Sequence, residues 1–117
     1  FSREHFSRHT LQIAVGCLWI GNYLYSLSPE KSRDYIALEQ KAIQIYLEHG
    51  CLGVECYQDP HNPRKWMEIN KFHDEKHHKE VIAAVEKDPR ITALFEEFLK
   101  LFDKGAPPVK DMYLRML

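Results

Sequence analysis

Leu52–Phe72 reads LGVECYQDPHNPRKWMEINKF. Leu52, Val54 and Cys56 alternate with Gly53, Glu55 and Tyr57, the two-residue period of a strand. Asp59-Pro60-His61-Asn62-Pro63 is a dense turn cluster. Lys65–Phe72 alternates again, so the segment predicts an antiparallel hairpin. Its second strand carries large side chains on both alternations, Trp66 and Phe72 against Met67 and Ile69. A sheet that is apolar on both faces wants a cover on each. Trp66 shares its alternation with Glu68 and Asn70, which a plain core face would not carry. Met67 and Ile69 are therefore expected to face the helices, and Trp66 a partner chain. On that expectation, truncating Trp66 weakens dimerisation more than it changes ligand binding.

Working outward, Ser28-Pro29-Glu30 has the form of a helix start, with Ser as cap, Pro in the first helical position and Glu in the first turn. Tyr35, Leu38, Ala42, Ile45 and His49 then recur at helical spacing, and Gly50 stands where a C-terminal glycine belongs. Upstream, Leu11–Tyr25 is almost continuously apolar and resembles a signal-peptide core. Pro29 follows the small-residue triplet Ser26-Leu27-Ser28 and makes a poor cleavage site, so the run reads as a buried strand near Cys17–Leu27. Gly16 or Gly21 is expected to mark a bulge or bend in it. Downstream, Asp74 can cap a helix carrying Val81, Ile82 and Val85, and Asp88-Pro89 starts another through Phe102. Val109–Leu117 reads as a last strand. The order strand, helix, strand, strand, helix pair, strand predicts an α+β fold, the split β-α-β arrangement of a ferredoxin-like sandwich. Residues 1–16 read as an N-terminal arm and 17–117 as a single domain.

Composition narrows the function classes. The chain has 117 residues, 44% hydrophobic and 28% charged, which excludes disorder. A net charge of -1 argues against a nucleic-acid binder. Three cysteines without framework spacing argue for a reducing, cytoplasmic setting. No apolar run is long enough to span a bilayer, so no membrane partner is expected. No phosphate loop, serine elbow or dinucleotide fingerprint occurs.

Three sets of residues stand out as candidates. His73 and His77 sit at i and i+4, with His78 and Glu80 beside them. The zinc-protease pattern needs Glu directly after the first His, and Asp74 stands there, so the stretch also reads as a solvated first turn and no metal is expected. Asn22 is a polar residue inside an apolar strand, at a bend or edge or directed into a pocket. Trp19, Tyr23, Tyr25, Trp66 and Phe72 are either core or the wall of an aromatic pocket. Asn22 and Tyr23 reach one pocket only if Gly21 bulges.

Several of these segments together carry a family resemblance: Tyr23–Ser28 leading into the Ser-Pro-Glu-Lys start, the hairpin, the strand Trp66-Met67-Glu68-Ile69-Asn70, and Asp88-Pro89-Arg90-Ile91. Over roughly residues 17–117 the chain resembles the dimeric α+β barrel superfamily, which includes antibiotic-biosynthesis monooxygenases. Asn70 stands where that family's strand often ends in Trp. The resemblance implies a homodimer whose two sheets close a barrel, each protomer keeping a pocket for a small apolar or aromatic molecule. Heme-degrading relatives combine a first-strand Asn with a His and a Trp on the second helix. No Trp occurs in residues 74–117, and no cofactor is expected. The implied activity is cofactor-independent oxygenation of a small aromatic or quinone-like substrate. Asn22 and His77 or His78 would orient and deprotonate it, and Tyr23, Trp66 and Phe72 would form the walls. The alternative is a non-catalytic small-molecule-binding or structural barrel.

Overall fold

A computed structural model describes residues 19–117. The expected arm at residues 1–16 and Cys17 lie outside the described residues. The elements are β1 (Trp19–Ser26), a 3-10 turn (Pro29–Lys31), α1 (Ser32–Glu48), β2 (Gly53–Gln58), β3 (Lys65–Phe72), α2 (Glu75–Glu86), α3 (Pro89–Leu101) and β4 (Val109–Leu114). The strands form one antiparallel sheet in the order β2-β3-β1-β4. This is the ferredoxin-like α+β fold, with the helices on one face of the sheet.

Local chemistry sets the boundaries. Asp59 Oδ1 accepts from the backbone N–H groups of His61 and Asn62, closing the hairpin turn. Gly50, at φ 102°, ends α1 in the left-handed conformation. The Cys51 N–H then donates to the Tyr46 carbonyl and the Gly50 N–H to that of Leu47, the paired bonds of a Schellman motif. Asp74 and Asp88 cap α2 and α3 by accepting from the backbone N–H groups of His77 and Arg90. Ser28 does not cap with its side chain. Pro29 starts a tighter turn there, in which the Lys31 N–H donates to the Ser28 carbonyl.

The core has two centres. One gathers Tyr25, Leu27, Tyr35, Ala42, Trp66 and Phe98. The other gathers Cys51, Phe72, Val81 and Val85. The first corrects the expected orientation of β3. Trp66 is 5% exposed and meets the Tyr35 ring edge-on at 5.0 Å, so it faces the helices. Glu68, Asn70 and Phe72 face the helices with it, and Met67 and Ile69 lie on the opposite, open face. The inference failed because Glu68 and Asn70 are accommodated inside: the Asn70 amide donates to Glu68 at 2.9 Å.

Of the two glycines expected to bend the first strand, Gly16 lies outside the described residues and Gly21 does not bulge. The β1–β3 register runs unbroken from Trp19↔Phe72 to Ser26↔Lys65, so there is no bulge. Space over this position is tight. A Cβ on Gly21 would stand 3.0 Å from Asn70 Oδ1 and 3.4 Å from the Tyr23 ring.

Candidate functional site

The buried stripe of α1 is Tyr35, Glu39, Ala42 and Ile45. Glu39 thus occupies a core position, 8% exposed, one turn from Tyr35. Register brings Cys56 of β2 and Tyr23 of β1 level with Glu68 of β3 beneath this stripe. Between the layers lies a cavity of about 240 Å³. Its floor carries Glu68 and Asn70, Glu39 projects from the helix side, and its walls are largely aromatic, including Tyr23, Tyr25, Tyr35, Tyr46, Phe98 and Phe102.

The polar groups in the cavity form one connected set. The Tyr25 and Tyr35 hydroxyls are hydrogen-bonded to each other, and Cys56 Sγ lies 3.8 Å from the Tyr35 hydroxyl. The Glu39 carboxyl is hydrogen-bonded to Glu68. Burial, then that hydrogen bond and the charge of Glu68, push the Glu39 carboxyl up to about 10. Two carboxyls this close in an apolar setting cannot both ionise freely, so Glu39 holds its proton at neutral pH. Burial and the neighbouring carboxyls push the Cys56 thiol up to about 12. Burial also holds the Tyr25, Tyr35 and Tyr46 hydroxyls well above their ordinary range, so they remain hydrogen-bond donors. Among the described residues, Glu39, Cys56 and Glu68 bring potential metal-ligand atoms within 4.8 Å of one another. At neutral pH a cation there would have to displace the Glu39 proton and the thiol proton. The chemistry these side chains supply directly is proton transfer in an apolar enclosure.

Of the residues singled out from sequence, Tyr23 and Tyr25 line this cavity. Asn22 pairs with Ile69 and Asp111 and points to the open sheet face, because an unbulged strand sends neighbours to opposite sides. His77 and His78 stand at the other end of the helix layer. His77 Nδ1 accepts from the His73 N–H at 3.0 Å. The Trp19 indole N–H donates to His78 Nδ1 at 3.3 Å, and the His78 ring lies 4.5 Å from Phe72. Burial, then Lys110, lower the His78 pKa. Trp66 and Phe72 are packed in the two core centres and are not cavity walls. The sequence reading missed Glu39. The available signal was a carboxyl inside the stripe Tyr35, Glu39, Ala42, Tyr46, whose spacing places all four on one helix face.

The chain matches no protein-family pattern and no curated protein sequence. Solved structures do share its fold. A conserved protein from Methanosarcina mazei Go1 superposes with a TM-score of 0.71 at 18% identity, covering 90% of this chain and 99% of that one. SnoaB, a cofactor-independent oxygenase from Streptomyces nogalater, gives 0.67 at 7% identity over 85% and 93%. A Nitrosomonas europaea protein grouped by name with the antibiotic biosynthesis monooxygenases gives 0.70 at 11% identity over 86% and 92%. These neighbours share the chain's ferredoxin-like α+β fold. No helix among the described residues is long and apolar enough to cross a membrane.

Proposed function

We propose that the protein is a monooxygenase-like enzyme that takes a compact aromatic substrate into the cavity between helices and sheet and removes a proton from it with the Glu39–Glu68 pair. The observation that carries this reading is a close carboxyl pair in a largely aromatic cavity. A carboxylate in such a place has little competing water and acts on whatever acidic hydrogen is bound against it. For a phenol the chemistry closes without a cofactor. The pair takes the hydroxyl proton, and the phenolate gives electrons to dioxygen through a new ring-carbon–oxygen bond. Loss of the ring hydrogen as a proton then accompanies O–O cleavage, so that phenol plus dioxygen yields quinone plus water. The tyrosine hydroxyls would hold the developing oxygen charge.

The open sheet face supports a homodimer. Ile20, Met67 and Ile69 are half-buried, and Leu24, Tyr57, Val109 and Tyr113 are exposed. A second copy laid on this face would bury them and close a barrel. The non-catalytic alternative draws on one specific observation: Asn22 and both helix-start histidines lie away from the cavity. Oxygen uptake with a panel of phenols and hydroquinones decides between the readings. Glu39→Gln and Glu68→Gln should each lower turnover by about 100-fold or more while binding persists. Binding without oxygen uptake in the wild type would leave the non-catalytic barrel.

A further inference from the structure

Among the described residues that line the cavity, the charge is all of one sign. The charged lining residues are Glu39 and Glu68, with no Lys, Arg or His among the described residues that line it. No salt bridge reaches either carboxyl within the described residues. The partners of the pair are neutral: the Asn70 amide on Glu68 and the Tyr35 hydroxyl at Glu39. Carboxyls enclosed in a largely apolar lining without a cationic partner are costly to ionise. The cavity walls offer ring faces, which attract cations. One wall already shows this, since Lys110 Nζ stands 5.3 Å from the centroid of the Tyr23 ring.

We infer that this cavity selects an organic cation, an amine carried on an aromatic or aralkyl skeleton. Its ammonium would sit against the Glu39–Glu68 pair and its ring among the tyrosine and phenylalanine side chains. The inference rests on the reading of this cavity as the ligand site and adds the charge of the ligand. The ammonium supplies a counter-charge that the described lining lacks. A carboxylate-bearing ligand would place a third acidic group beside the pair and is disfavoured.

Three probes share a phenol ring and differ in side-chain charge: tyramine, 4-ethylphenol and 4-hydroxyphenylacetate. Calorimetric titration of the full chain at neutral pH should rank tyramine about ten-fold or more tighter than 4-ethylphenol, with 4-hydroxyphenylacetate weakest. The Glu39→Gln, Glu68→Gln double variant, with its fold checked by circular dichroism, should bring tyramine and 4-ethylphenol to within about two-fold, because no charge then discriminates them. Equal or reversed ranking in the wild type, or no tyramine binding at millimolar concentration, overturns the inference. Tight 4-ethylphenol binding without a charge preference would overturn the cation inference alone and leave the cavity as the aromatic site.

Discussion

The two ends of the helix-facing layer handle their polar groups in opposite ways. At one end His73, His77 and His78 cluster around the start of α2, each taking part in a hydrogen bond there. The Asp74 side chain accepts from the His77 N–H, His77 Nδ1 accepts from the His73 N–H, and His78 accepts from Trp19. At the other end Glu39 sits in mid-helix, where α1 already uses its own backbone bonds. Its partners come from across the layer, on β3 and on the helix turn before it. Titratable groups that cap a helix are already occupied, whereas a carboxyl in a buried stripe must be answered by tertiary neighbours. The histidines are prominent in sequence and stand, exposed or half-buried, outside the cavity. Glu39 is inconspicuous in sequence and lies in the cavity.

The largest expected effect tests which face of β3 is core. Trp66→Ala should cost about 3–5 kcal/mol of protomer stability in urea unfolding, because it empties the space against Tyr35 in the first core centre. A variant of unchanged stability that only dissociated would return Trp66 to the dimer face. Next in size, Ile69→Asp places a charge on the open face. It should weaken self-association by about 2 kcal/mol or more, read by sedimentation, while the protomer stays folded. A wild-type monomer at micromolar concentration would break the barrel proposal.

The carboxyl pair makes a prediction with a definite sign. Glu39 has its folded-state pKa raised from 4.5 to about 10, so between those values the folded chain keeps a proton that the unfolded chain has lost. Its contribution to stability is full below about 4.5 and falls as pH rises toward 10, by at most about 1.4 kcal/mol per pH unit. Unfolding midpoints at pH 5, 7 and 9 should decline, and Glu39→Gln should flatten the decline. Asp88 runs the other way. Hydrogen bonds from Arg90 and His49 hold its carboxyl far below its ordinary value, so its contribution is present above about 3.8 and is lost as pH falls further. A flat profile from pH 5 to 9 in the wild type would show that Glu39 is not held protonated. The smallest effect belongs to the other end of the layer. His77→Ala should change stability by no more than about 0.5 kcal/mol and leave ligand binding intact, since the backbone cap at Asp74 survives. Loss of binding in this variant would move the site to the histidines.

Much of the fold was legible because its signals are local. The alternation of Leu52–Tyr57 and Lys65–Phe72, the Asp59–Pro63 turn, the caps at Asp74 and Asp88 and the glycine at position 50 each act within a few residues, and the structure has all of them. The orientation of β3 was not local. Alternation establishes that Trp66, Glu68, Asn70 and Phe72 share a face, but which face is buried depended on Glu39, 29 positions before Glu68 in the chain, being there to meet it. The same holds for Asn22, whose direction followed from an unbroken register that only the β1–β3 pairing reveals. Sequence by itself therefore determined the elements, their order and the antiparallel α+β class, since propensity, capping and periodicity are properties of short segments. The cavity and its carboxyl pair were decided by tertiary structure, because buried charge is tolerated only where partners from distant segments converge, and that convergence is a property of packing.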